Sequence, residues 1–176
     1  MNILKEHKAI EQALATYSAK LETMTDEYFW ESPADGGWCF AEVYSHILKA
    51  TLGASISLEK CTNKNTEKST KGTSFFGYYV MLVGKFPPIK VKVPTAIAEK
   101  MPAEKISREE AKKLIEKCHK RIHTVLPLLT DALPDIRYKH PRLGMLNAQQ
   151  WFKFIRIHAE HHLAQLARIE RKIKKG

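Results

Sequence analysis

The stretch RIHAEHHLAQLARI, residues 156–169, holds three of the chain's eight histidines within five positions. Set on a helix at about 100° per residue, His158 and His162 share a stripe with Trp151, Ile155, Leu166 and Ile169. His161 falls on the flank of that stripe, nearer Phe154. Two imidazoles four residues apart face the same way and can share one transition-metal ion. They can equally be core histidines bonded to carbonyls or carboxylates, because burying both without a partner is costly. Two histidines alone make a weak metal site, so a third donor has to come from another element. His46 is the best candidate: it sits at the edge of an apolar stripe beside Ala50 and Gly53, which leave room for an imidazole. Glu42, one turn earlier, can orient His46 or add a carboxylate, although a capping or surface role ranks above that. A second pair four apart, His119 and His123, points off a stripe of Ala111, Ile115, Cys118, Ile122, Val125 and Leu129 and reads as a solvated flank. His7, near the start of its helix, and His140, in a loop before Pro141, rank low as ligands.

Four amphipathic segments have to position these groups. The first runs from Ile3 to Met24, with Ile3, His7, Ile10, Leu14, Tyr17, Leu21 and Met24 at three- and four-residue steps. ESPADGGW then breaks the chain. The second spans Phe40 to Lys60 with Val43, Ile47, Ala50, Ala54 and Leu58 as its apolar side. The third spans Ser107 to Leu126, opened by a Ser107–Glu110 capping box and ended by Pro127. The fourth opens at Asn147, with Gln150 as the answering half of its cap, and continues to Ile173. Between the second and third lies a long connection, residues 61–105, polar at first, then aromatic (SFFGYYVMLVG), then proline-rich. Its IKVKV alternates like a short extended segment. The expected architecture is all-α: one domain over 1–176, a four-helix bundle with a long crossover between helices two and three.

Bulk properties narrow the function. The formal charge is +10 and the pI near 9.5, but lysine and arginine are scattered apart from the tail ARIERKIKKG. Without a nucleic-acid-reading motif this is a solvated basic surface, and nucleic acid is not the expected partner. The N-terminus carries charge where a signal peptide needs apolar residues. The longest uncharged apolar run, TSFFGYYVMLVG, is too short to span a bilayer, so no membrane role is expected. Cys39, Cys61 and Cys118 form no CxxC pair and fit a reducing cytoplasm. No Ser-His-Asp set or phosphate-cradling loop is visible, and no catalytic residue is assigned.

GWCFAEVYSHIL resembles the start of helix two in the DinB-like (DinB/YfiT-like) superfamily of metalloenzymes, where a Trp, a helix cap, a Glu and a His follow in that order. HPRLGMLNAQQWFKFIRIHAEHHLAQLARI resembles the closing segment of that superfamily: an HP-x-x-G loop, an aromatic-led helix, H-x-x-x-H and a nearby Gln. The resemblance covers nearly the whole chain and implies a bundle whose divalent metal, zinc or nickel, is held by His46, His158 and His162. It also implies a homodimer. One departure is Cys39, which stands where a Ser or Thr usually caps helix two.

Three histidine ligands leave a coordination position open, as in catalytic sites. The expected function is therefore a metal-dependent enzyme acting on a small-molecule substrate, as a hydrolase or a thiol S-transferase. Glu42, His161 and Gln165 are the expected supporting groups around the ligands. The alternative is a non-catalytic metal-binding or partner-binding bundle that uses its basic surface.

Overall fold

Each long helix starts on a side chain that answers an unpaired backbone N–H. In the computed structural model, which describes residues 1–34, 36–63, 68–87 and 104–174, Asn2 accepts from the Lys5 N–H at 2.9 Å and opens α1 (Ile3–Glu22). α3 (Phe40–Lys60) starts with Glu42 accepting from the Cys39 N–H at 2.9 Å. Ser107 accepts from the Glu110 N–H at 3.0 Å and opens α5 (Arg108–Val125). Asn147 and Gln150 answer each other's N–H groups at 2.9 and 3.0 Å and open α6 (Ala148–Ile173). Pro127 follows α5 as the first residue of a 3-10 turn, Pro127–Leu129.

These four helices make the bundle, and their pairings fix its directions. Glu6 meets Arg156 and Lys20 meets Glu170, so α1 and α6 run together. Glu11 meets His119 and Glu22 meets Lys112, so α5 runs against α1. The Cys118 thiol reaches the Leu48 carbonyl and Arg121 reaches Glu59, so α3 and α5 run together. Two parallel neighbours cannot be joined by a tight turn, and this is why the chain needs the long crossover. Two tyrosines tie three helices through the core. Tyr44 donates to the Tyr17 carbonyl and Tyr17 donates to the Ala159 carbonyl, both at 2.8 Å. Both side chains are fully buried, and burial pushes both phenols above their ordinary pKa. Leaving either hydroxyl or carbonyl unpaired there would cost about 1–3 kcal/mol.

The structure departs from the expectation in four places. α1 stops at Glu22, two residues short of Met24, although Met24 remains buried. Thr25 caps a short helix, α2 (Asp26–Trp30), that packs Phe29 into the core. The aromatic part of the crossover, left unassigned from sequence, is helical: Ser74 accepts from the Gly77 N–H at 3.0 Å and opens α4 (Phe75–Val83), which ends on left-handed Gly84. The IKVKV segment, with Pro88, Pro94 and Pro102, lies outside the described residues.

The fourth departure is an antiparallel hairpin between α5 and α6, with β1 (Arg137–His140) pairing Tyr138 with Leu146 of β2 (Gly144–Asn147). Residues 72–74 run along its edge: Met145 donates to the Gly72 carbonyl at 3.0 Å and Ser74 N–H to the Leu143 carbonyl at 2.8 Å. This junction depends on two glycines. Gly144 has φ of +82°, and a Cβ there would sit 2.4 Å from the Ser74 nitrogen; a Cβ on Gly77 would sit 2.2 Å from the Leu143 carbonyl oxygen. Gly144→Ala should therefore lower stability by about 2–4 kcal/mol, combining left-handed strain with a backbone clash. Urea unfolding checks this, and an unchanged midpoint would contradict it.

The flank reading of His119 is also corrected. α1 packs across that side of α5, so His119 is part-buried and its Nδ1 lies 2.7 Å from Glu11, while His123 stays 62% exposed. Cys39, Cys61 and Cys118 are all buried free thiols. Burial pushes Cys61 up to about 11 and Cys118 up to about 12. Among the described residues, no helix is long and apolar enough to cross a membrane.

Candidate metal centre

α3 and α6 pack side by side and bring His46 opposite His158 and His162. One ring nitrogen from each of the three lies within 4.8 Å of the others. The α6 pair comes from one face of a helix whose start is held by a complete capping box, so its register against α3 is set. The aromatic neighbours fix the rings. Trp38 lies against His46 with centroids 5.1 Å apart, and Phe154 stacks on His158 at 5.0 Å and 21°.

The hydrogen bonds decide which nitrogens face inward. His162 Nδ1 lies 2.7 Å from Gln165 Oε1. That oxygen can only accept, so Nδ1 carries the proton and Nε2 keeps a lone pair. This lone pair points at His158 Nε2, 3.0 Å away. Burial first, then the neighbouring imidazoles, drive all three rings toward the neutral form. His46 is lowered, His158 lies well below its ordinary value, and His162 falls to about 3. Neutral imidazoles with converging ring nitrogens, one of them oriented by an amide, form a donor set for a divalent transition metal, which would displace the proton shared between His158 Nε2 and His162 Nε2. The residues fit such an ion.

The supporting residues divide. Gln165 is in place against His162. His161 sits at the edge, its ring 5.2 Å from that of His162 and 5.1 Å from that of Phe86. Of the two readings of Glu42 the capping one holds: the Cys39 N–H has no intrahelical partner and the carboxylate supplies one, so Glu42 does not support His46.

Two cavities of about 330 and 390 Å³ adjoin at the triad, sharing His46, His158, Phe76, Phe86 and Arg142. The aromatic crossover, which the sequence offered either as a wall of the site or as plain bundle packing, does line them, whereas the contribution of the hairpin was not anticipated. Phe76 and Phe86 come from the crossover, so α4 closes one side. His140 comes from the hairpin, and its Nδ1 accepts from the Arg142 and Leu143 N–H groups, each at 3.1 Å. Its proton therefore sits on Nε2, and burial, reinforced by Arg142, lowers it to about 4. The Arg142 guanidinium lies 5.4 Å from the Phe76 ring centroid and puts a positive charge on the wall of both cavities. The only signal in the sequence was HPRLG, whose turn brings an imidazole and a cation to one loop.

A profile of the DinB superfamily matches residues 9–166. The chain belongs to the DinB superfamily. Among solved structures, this DinB-superfamily chain is similar to YfiT from Bacillus subtilis, described as a probable metal-dependent hydrolase with an unusual four-helix bundle topology. That match has a TM-score of 0.67 and 19% identity, over 98% of this chain and 87% of YfiT. TT2238, described as a four-helix bundle protein, matches with a TM-score of 0.53 and 17% identity, over 94% and 95% of the two chains. At these identities the likeness is one of fold. No curated protein matches the chain.

Proposed function

We propose that this chain is a metal-dependent hydrolase of a small substrate, with His46, His158 and His162 holding a zinc or nickel ion. The observation that carries the reading is the convergence of three neutral imidazoles at the junction of two cavities of substrate size. When bound, the ion supplies Lewis acidity, which polarises a carbonyl or phosphoryl group and acidifies water. The chain's own residues do the rest. Gln165 holds the His162 ring in the tautomer that aims Nε2 inward. Phe76, Phe86, Trp151 and Phe154 exclude bulk water and pack an apolar part of the substrate. His140 Nε2–H offers a neutral donor at the wall, and Arg142 attracts an anionic or strongly polar group. YfiT, with the same fold, is itself described as a probable metal-dependent hydrolase.

Protein made without a polyhistidine tag and analysed for metals should carry stoichiometric zinc or nickel. A panel of small esters, amides and phosphates, with and without a low-molecular-weight thiol, should then reveal turnover that a chelator removes and the metal restores. Thiol-independent turnover supports hydrolysis. A strict thiol requirement assigns the chain to thiol S-transfer, and bound metal with no turnover assigns it to the binding class. A homodimer and a cytoplasmic location belong to the same reading; light scattering tests the first and fractionation of the cells that make the protein tests the second.

A further inference from the structure

On the far side of the bundle from the triad, α1 and α5 bring a second set of metal-competent donors together. His7 and Glu11 lie one turn apart on α1, and His119 and His123 one turn apart on α5. Glu11 is their meeting point. Its Oε2 lies 2.7 Å from His119 Nδ1. Its Oε1 lies 3.8 Å from His7 Nε2 and 4.0 Å from His123 Nε2. The His7 and His123 rings meet edge to face with centroids 5.4 Å apart.

Glu11 Oε1 and His7 Nε2 are both buried atoms with no hydrogen-bond partner among the described residues. A native structure rarely leaves such atoms unanswered, because each costs about 1–3 kcal/mol. At 3.8 Å these two atoms do not hydrogen-bond each other. Three donors on one ion with bonds of about 2.0–2.2 Å stand about 3.3–3.8 Å apart, from tetrahedral to trigonal angles. The three atoms lie within 4.8 Å of one another, so side-chain rotations that close the widest gap by about 1–1.5 Å complete the set.

We propose that His7, Glu11 and His123 form a second divalent transition-metal site, distinct from the His46–His158–His162 centre. His119 acts there as a positioning residue: it holds Glu11 Oε2 so that Oε1 points at the two imidazoles. Two nitrogens and one carboxylate oxygen suit zinc. His123 is 62% exposed and leaves the outer side to water, whereas the triad opens on cavities walled by aromatic rings. The second ion therefore clamps the beginning of α1 to the end of α5 and has no substrate cavity to serve.

A zinc titration of the tag-free, full-length protein against a chromophoric chelator tests this. The native chain should take up two equivalents, His123→Ala one, His162→Ala one, and the double variant none. His123→Ala removes an exposed side chain, and circular dichroism checks that its fold is kept. Glu11→Gln keeps an oxygen for His119 but removes the anionic ligand, and should weaken the second equivalent by about tenfold or more. Zinc should still raise the melting temperature of His162→Ala and should fail to raise that of the double variant. A second equivalent that persists in both His123→Ala and Glu11→Gln overturns the proposal, as does a native chain whose single equivalent His123→Ala leaves untouched. Loss of the equivalent that depends on His162 concerns the triad alone, so failure of one site is not mistaken for failure of the other.

Discussion

His162→Ala should abolish tight metal binding at the α3–α6 centre, and with it any chelator-sensitive turnover. His162 is buried, its Nε2 lone pair faces His158 Nε2 at 3.0 Å, and its other nitrogen is held by Gln165 at 2.7 Å. Removing it takes away a donor and leaves an H-x-x-x-H motif with a single imidazole. The loss should exceed the ~10–100-fold reduction in affinity that follows when only an orienting partner is removed. Gln165→Ala supplies that milder comparison: the ring stays, but its tautomer and direction are no longer held. His161→Ala should leave affinity nearly unchanged, because the ring lies beside the centre. Isothermal titration with zinc on the three variants reads the order directly. Affinity that survives His162→Ala and fails in His161→Ala would place the wrong neighbour in the site.

The second large effect is acid lability traceable to His140. Its Nδ1 accepts two backbone N–H groups in the hairpin turn, and burial, reinforced by Arg142, lowers it to about 4. Above about pH 6.5 His140 is neutral in both folded and unfolded chains and adds nothing to the pH dependence. Below 6.5 the unfolded chain takes up a proton that the folded chain refuses until about pH 4. Stability therefore falls with falling pH across that window, by about 3 kcal/mol from this residue alone. The triad rings are lowered in the same direction in the metal-free chain, so the full acid transition is steeper still. His140→Asn isolates the contribution, because an amide oxygen can stand in for Nδ1 as the acceptor yet cannot titrate. Urea midpoints between pH 7 and 4.5 should fall less steeply for His140→Asn than for the native chain. Parallel curves would refute the assignment.

What the sequence made legible followed from periodicity. The apolar stripes of α1, α3, α5 and α6 each recur over several turns, and the caps of α5 and α6 are local pairs that can be read by eye. The placement of His158 and His162 followed from the same stripe. His46 needed more, because nothing local connects it to residues more than a hundred positions away; the resemblance supplied that link and the α3–α6 packing gave it a geometry. The hairpin was missed because RYKH and GMLN are each four residues long, too short to show an alternating pattern. α4 was missed because an aromatic run carries no clear helical face. Glu42 offered two readings, support of His46 or a cap, and the capping one holds because its nearest unmet need is the N–H of Cys39 three residues before it. The His7, Glu11, His119 and His123 cluster was missed although its histidines were weighed one by one, because each helix contributes half of it and spacing does not show that α1 packs across that side of α5.

The shared direction of α3 and α5 carries a consequence for how the molecule folds. Chain segments that run alongside each other cannot zip outward from a tight turn, so a large loop must close before their contacts stabilise anything. The two halves of the proposed metal centre are separated by that loop and by α5 as well. The H-x-x-x-H half forms with α6 itself, whereas His46 reaches it only when α3 and α6 dock. Tight capture of the ion therefore marks a late event in folding, and the rate at which zinc becomes resistant to a chelator during refolding should report the docking of α6 on α3.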